Sequence, residues 1–329
     1  VARPIPRDLW RKSGQKVQTT SPSGARENVT VPMIAIAIAG AIVACAPILP
    51  RETALLRLSA AVLLTVAFWP FAASARDEPP PSRCVAIAEA LPSATYASFT
   101  APKAQPSRLA QAFVDGDVTI TYAGHSTYVI ETPAGVRIAT DFSGVYGADP
   151  LPRVVTMNKA HRTHYSDHVD PGIEYVLRGW NPDGGPARHA LVVDDVYIRN
   201  VPTDIRNGGD LGKDGNSIFI FEVAGLCIGH LGHLHHRLED AHYGAIGRLD
   251  ILMVPIDGGM TLSLDRMTEI TARLYSSMIL PMHRHSTPIS EFTGRMGDDF
   301  AVEFFSGRSL TVSLKTLPDR PTIIILDGV

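Results

Sequence analysis

Apolar and polar positions divide the chain into two long uncharged runs followed by a series of short apolar bursts. Residues 31–50 and 58–75 carry no charged side chain, and each approaches the length that spans a bilayer core. Past residue 110 the pattern changes. Val118-Thr119-Ile120-Thr121-Tyr122 alternates with period two, as a half-buried strand does. Ala123-Gly124 then turns, residues 127–131 predict a second strand, and residues 136–140 predict a third after Pro133-Ala134-Gly135. Three short strands in a meander thus open the body. Residues 152–157 predict a fourth, and residues 170–177 predict a short helix, because Pro171 suits a first helical turn. Strands are expected at 191–193 and 196–198, and a hairpin at 217–223 and 226–229 around Ala224-Gly225. Residues 249–255 and 278–282 are nearly continuous apolar runs, as strands buried on both faces are. Between them residues 264–274 have helical spacing. Residues 301–305, 309–314 and 322–326 predict closing strands.

The uncharged runs give an N-terminal extension over residues 1–76 that is open to three readings. Arg51 and Arg57 before residues 58–71, with Ala73-Ser74-Ala75 behind them, resemble a secretory signal cleaved after Ala75. A helical hairpin is the second reading: Arg3, Arg7, Arg11, Lys12, Lys16 and Arg26 would hold its ends inside, leaving the protein attached to the membrane. Ile42-Val43-Ala44-Cys45 resembles a lipobox and gives the third. The export signal is the expectation, with an exported, periplasmic or membrane-anchored body. Residues 77–110, with Pro79-Pro80-Pro81 and a second proline-containing stretch at 102–106, read as a linker. Residues 111–329 remain as one large domain.

Composition narrows the chemistry. With 30 basic and 33 acidic residues the net charge is −3, and no basic run is long enough to mark a nucleic-acid surface. Cys45, Cys84 and Cys227 form no CxxC pair, so at most one disulfide is expected; Cys227, inside a strand, reads as a packing residue. The sequence holds no G-x-S-x-G elbow, P-loop or dinucleotide fingerprint. All twelve histidines, in contrast, fall between His125 and His285. They arrive in three groups: His161 to His168, His230 to His236, and His283 to His285, each directly after an apolar strand. Loops beyond strand ends are free to converge, and neutral imidazoles with a carboxylate suit zinc or another transition metal. A metal site is therefore expected.

The order of motifs resembles the metallo-β-lactamase superfamily, most of all its L-ascorbate-6-phosphate lactonase-like and N-acyl phosphatidylethanolamine phospholipase D-like branch. The resemblance rests on Gly124-His125-Ser126-Thr127, Thr140-Asp141, the His161 to His168 group, Ile228-Gly229-His230, Val254-Pro255 with Gly258-Gly259, and Pro281-Met282-His283. It implies an α/β fold, an αβ/βα four-layer sandwich. It also implies one or two metal ions, usually zinc, and a metal-bound hydroxide that attacks an ester, lactone or phosphodiester. The expected ligands are His161, His164, Asp167, His168, His230, His233 and His283, with Asp167 and His230 also in catalysis. His125 and Asp141 would support them from behind, and Arg162, Arg206 and Arg284 would receive an anionic small-molecule substrate.

The chain also departs from the family pattern. It reads H-x-x-H-x-x-D-H where relatives read H-x-H-x-D-H, it has Gly229-His230 where relatives carry Gly-Asp, and no histidine falls near Asp204, where relatives place one. More imidazoles and fewer carboxylates favour a single ion or a softer metal. The alternative function is a metal-binding or interaction protein that keeps the fold without hydrolysis. His189 and His242 read as surface residues, His235, His236 and His285 as neighbours of ligands, and Asp257 as a group that orients a ligand or, as expected first, a turn former.

Overall fold

The computed structural model describes residues 81–85, 116–207 and 210–329. The expectations for the two uncharged runs and most of the linker fall outside these residues. Among the described residues no helix is long and apolar enough to cross a membrane.

The opening strands β1 (Val118–Gly124), β2 (Thr127–Glu131) and β3 (Arg137–Ala139) pair as an antiparallel meander. The chain then runs parallel through β4 (Val154–Met157) and β5 (Tyr175–Arg178). A second sheet begins at β6 (Ala190–Val193), followed by β7 (Val196–Asn207), β8 (Asp210–Val223) and β9 (Leu226–His230). Helix α1 (Asp240–Ile246) precedes β10 (Ile251–Pro255), and helix α2 (Leu264–Leu274) joins β10 to the parallel strand β11 (Met278–Met282). Helix α3 (Ile289–Met296), β12 (Ala301–Phe304), β13 (Ser309–Val312) and β14 (Thr322–Ile325) complete the chain. The six-stranded sheet has the order β13-β1-β2-β3-β4-β5, and the eight-stranded sheet β12-β14-β11-β10-β9-β8-β7-β6.

Period-two alternation stacks these sheets face to face. From β8, Phe219 and Phe221 turn inward and join Ile120, Tyr128, Ile130, Met253 and Leu280 in the core between the sheets. Their neighbours Ile218 and Ile220 turn outward, where with Leu252 and Val254 they meet Met267 and Ile270 of α2 and Phe292 of α3. β10 and β11 are buried on both faces for this reason, which is why they read as unbroken apolar runs. On the outer face of the first sheet Val129, Ala139, Val155 and Met157 are covered by Phe142 and Ile173 from the loops. The result is the expected α/β sandwich.

Several local expectations are corrected. Residues 170–177 do not form a helix: Pro171 and Gly172 make a turn, and Tyr175–Arg178 pairs with β4 as an edge strand. β7 and β8 run much further than the apolar stretches 196–198 and 217–223, because their outer halves pair along polar residues. Helices α1 and α3 were not expected; α1 begins at a capping box between Glu239 and His242.

Cys227 is not merely packed but disulfide-bonded to Cys84. The bond ties residues 82–85, within the stretch read as linker, to the body. Ser82 Oγ donates to Glu222 Oε1 at 2.5 Å and the Arg83 amide to Oε2 at 2.9 Å, while Cys84 O accepts from the Arg248 amide. Glu222 is paired in turn with the buried Arg199 at 2.8 Å. The other guanidinium nitrogens of Arg199 donate to the carbonyls of Ala245 and Ile246, closing the C-terminal end of α1.

Candidate metal centre

The chemistry-bearing side chains sit where strands of both sheets end. His125 follows β1, Asp141 follows β3, His161 and His164 follow β4, His233 follows β9, Asp257 follows β10, and His283 follows β11. Three of these residues, His125, Asp141 and His283, have positive φ, at 54°, 48° and 49°. Side chains rarely adopt that conformation, and it turns the chain sharply at the strand end. The turn at His283 is held by its amide, which donates to the carbonyl of His125 at 2.8 Å, an acceptor shared with the Tyr122 hydroxyl at 3.0 Å.

His161, His164, His233 and His283 present ring nitrogens that all lie within 4.8 Å of one another. Two of the rings are oriented by buried carboxylates. His164 Nδ1 donates to Asp141 Oδ2 at 2.6 Å, with Ser126 Oγ 3.1 Å from the same nitrogen. His283 Nδ1 donates to Asp257 Oδ2 at 2.9 Å. The proton therefore sits on Nδ1 in both, leaving two unprotonated Nε2 atoms that face each other at 3.1 Å. Two nitrogens bound at 2.0–2.1 Å to one tetrahedral zinc are separated by about 3.3 Å. His233 supplies the independent observation: both its ring nitrogens are buried with no hydrogen-bond partner. Leaving such atoms unsatisfied costs about 1–3 kcal/mol. These residues fit a metal ion.

Electrostatics agree. Burial depresses the imidazoles of His164 and His233, and the neighbouring rings depress them further. Burial also lowers His161, so these three rings favour the neutral state, the one in which imidazole ligates. The carboxylates are supported separately. Asp141, raised by burial, accepts from Asn158 Nδ2 at 2.8 Å. Asp257 is pushed up by burial, yet hydrogen bonds from His283, Thr261 and the amides of Gly259 and Thr261 hold it well below the usual range. Asp257 is thus both the turn former expected and a partner of His283.

The other named residues are placed differently. Asp167 and His168 are exposed and lie outside the four-histidine group; Ser166 Oγ bonds both the carbonyl and the amide of His168, in a turn of its own. His230 is buried, but its Nδ1 accepts from the Gly232 amide at 3.1 Å and its Nε2 donates to Ser126 O at 2.9 Å, so neither nitrogen is free. It braces the β1–β2 turn instead. His235 is similarly engaged by the Arg206 amide and Met260 O. His125 lies against His283 with ring centroids 4.3 Å apart; its buried Nε2 has no partner, and burial pulls its pKa down to about 4.

Arg162 is exposed, Arg206 donates to the carbonyls of Gly259 and Thr261, and Arg284 is half-buried with its Nε unpartnered. Asp204 accepts the Asp214 amide within the β7–β8 hairpin. Of the remaining histidines, His285 is exposed beside Ser286, His236 keeps a buried Nε2 without partner, and His242 belongs to the cap of α1. His189 is tied to the Arg178 carbonyl. Ser126 and Asn158 support the candidate ligands from behind, and nothing in the sequence marks Asn158 beyond its place after β4.

A two-sheet sandwich carrying a cluster of mostly buried histidines at its strand ends defines a metal-binding α/β protein. The model of the beta-lactamase superfamily domain matches residues 119–283, just over half of the chain, and the protein belongs to that superfamily. A protein of Thermoplasma volcanium named a metal-dependent hydrolase is 24% identical over 194 residues, covering 51% of this chain and 83% of the relative. Among solved structures, a protein of Thermotoga maritima described as a zinc-dependent hydrolase of the metallo-beta-lactamase superfamily is similar at 25% identity and a TM-score of 0.45. That match covers 64% of this chain and 98% of the other. A metallo hydrolase of Ignicoccus hospitalis is 20% identical with a TM-score of 0.42, over 55% and 91% of the two chains.

Proposed function

We propose that this protein is a metal-dependent hydrolase of the metallo-β-lactamase superfamily, acting on a small molecule through one ion, zinc by ligand chemistry. The observation that carries the reading is the unpartnered, buried His233 beside His164 and His283, whose Nδ1 protons are committed to Asp141 and Asp257. His164, His233 and His283 form the buried part of the set, and His161 stands exposed at its solvent side. A bound ion would supply Lewis acidity, polarising a substrate oxygen and acidifying a water. The chain's own part is to favour neutral rings at His161, His164 and His233, fix the tautomers of His164 and His283, and exclude solvent from three of the four. Ester, lactone and phosphodiester substrates, as in the lactonase-like and phospholipase D-like branch, are the proposed classes, with Arg162 and Arg284 available to an anionic group. The Cys84–Cys227 disulfide supports an exported body, since such bonds persist in oxidising compartments.

One observation favours a second reading. Four protein nitrogens make a closed set of the kind that structural zinc sites use, whereas catalytic sites keep a position open. A non-catalytic metal-binding protein would follow if His161 never leaves the ion. Elemental analysis with lactone and phosphodiester turnover separates the two. One ion per chain, lost in His233→Ala together with turnover, supports the hydrolase; an ion retained without turnover supports the second reading, and no ion after reconstitution overturns both.

A further inference from the structure

A cleft lies on the outer face of β5, the edge strand of the first sheet, beside the segment that leads from it into β6. Its volume is about 500 Å³, within the range that holds a small organic ligand. None of its lining residues belongs to the histidine cluster. Val176, Pro182 and Pro186 give apolar walls, Trp180 a half-buried aromatic ring, and Arg178 and Arg188 two guanidinium groups.

The state of those arginines is unusual for this face of the molecule. Arg153, on the same side of the first sheet's edge, is held by Glu174 and Asp194, each at 2.6 Å. Arg178 and Arg188 have no carboxylate and no carbonyl acceptor for their guanidinium groups among the described residues, and Asp183, in the same loop, is not part of the lining. Two like charges sharing one cleft repel, and an anion placed between them relieves that cost while accepting planar, paired hydrogen bonds.

The cleft is also built rather than loose. His189 Nε2 donates to the Arg178 carbonyl at 2.7 Å, the His189 amide donates to Asn200 Oδ1 at 2.7 Å, and Asn200 Nδ2 donates to the Ala187 carbonyl at 3.0 Å. The His189 ring stacks on the buried Phe219. Trp180 is steadied by an edge contact with Tyr165 at 5.8 Å. Between Arg178 and Trp180, Gly179 accepts from Ser217 Oγ at 2.9 Å, and Ser217 in turn donates its amide to Asn158, the residue that supports Asp141. A relay of hydrogen bonds therefore joins the backbone of the cleft to Asp141 behind the histidine cluster.

We infer that this cleft is a second binding site, for a planar aromatic anion whose ring packs on Trp180 and whose carboxylate or phosphate lies between Arg178 and Arg188. The inference stands apart from the metal reading. The test is calorimetric titration of the full chain with 2-naphthoate at low ionic strength, with acetate as the ringless control. One saturable site is expected, weakened at least tenfold in R178Q/R188Q and in Trp180→Leu, unchanged within twofold in His233→Ala, and weakened by salt as an exposed ion pair is. Acetate should show no comparable site. The inference is overturned by no saturable binding, by equal affinity in R178Q/R188Q, or by binding that vanishes in His233→Ala while surviving in the arginine variant, which would put naphthoate at the histidine cluster. Because neither guanidinium makes a hydrogen bond or ion pair among the described residues, the variant should melt as the parent does, and its loss of binding then reports the cleft itself.

Discussion

Replacing Asp141 with Asn changes one atom's identity at the back of the cluster and should decouple metal affinity from stability. The carboxylate accepts from two donors, His164 Nδ1 through Oδ2 and Asn158 Nδ2 through Oδ1. An asparagine can offer an oxygen to only one of them. If its oxygen faces His164, its amide nitrogen meets the amide nitrogen of Asn158, donor against donor. If its nitrogen faces His164, the imidazole must accept at Nδ1 and carry its proton on Nε2, the atom that faces His283 at 3.1 Å. That tautomer cannot ligate. Losing an orienting carboxylate behind a metal-binding histidine typically costs 10- to 100-fold in affinity, or about 1.4–2.7 kcal/mol.

Stability without metal should respond less. A charge-assisted hydrogen bond contributes about 1.5–3 kcal/mol, but burial holds the Asp141 carboxyl above its ordinary range. The folded protein therefore bears a desolvation cost at neutral pH that the neutral amide removes. The expectation is a 10- to 100-fold weaker zinc affinity in competition with a chromophoric chelator, beside a change of less than about 2 kcal/mol in denaturant unfolding of the metal-free chain. Affinity within threefold of the parent would refute the assigned orientation of His164.

Other perturbations test neighbouring parts. Gly232 has φ of 63° and a Cβ there would overlap the side-chain amides of Asn158 and Asn216, so Gly232→Ala should cost about 1–3 kcal/mol and displace His233; denaturant midpoints and metal content together check it, and unchanged metal content would count against the delivery of His233 by this turn. Reducing the Cys84–Cys227 bond, which spans 143 residues, should lower stability by up to about 5 kcal/mol in the chain-entropy account; an unfolding midpoint insensitive to reductant and to Cys84→Ser would contradict it. In metal-free protein, His125 and His235 are held down to about 4 by burial, so they add stability above their unfolded value of about 6.5 that is lost as pH falls toward 4. Melting temperatures in chelator should decline across that window, and a flat profile would show these rings to be solvated.

Strands and site were legible to different degrees. β10, β11 and α2 are written plainly, since unbroken apolar runs and a 3.6-residue spacing reflect burial on two faces or one. β5 was not, because an edge strand of four residues takes its form from β4 rather than from its own alternation, and Pro171 suggests a helix start that the turn with Gly172 supersedes. The outer halves of β7 and β8 pair through Arg199, Asn200, Thr203 and Asn216, a polar stretch whose pairing no hydrophobic pattern announces. For the site, position after a strand pointed to all four clustered histidines. It did not separate His164 from His168, four residues on, because the direction of a loop is set by bonds such as those of Ser166, or His233 from His230, whose nitrogens are already committed.

The placement of the candidate ligands beyond the strand ends bears on how such a protein can diverge. Core residues such as Phe219, Met253 and Leu280 answer to packing, and the histidines, one to seven residues past a strand, answer to the loop that follows. Exchange, loss or gain of a candidate ligand therefore leaves the packing between the sheets unchanged. A chain of this fold can pass from carboxylate-rich to imidazole-rich centres by small steps that leave the packing between its sheets in place.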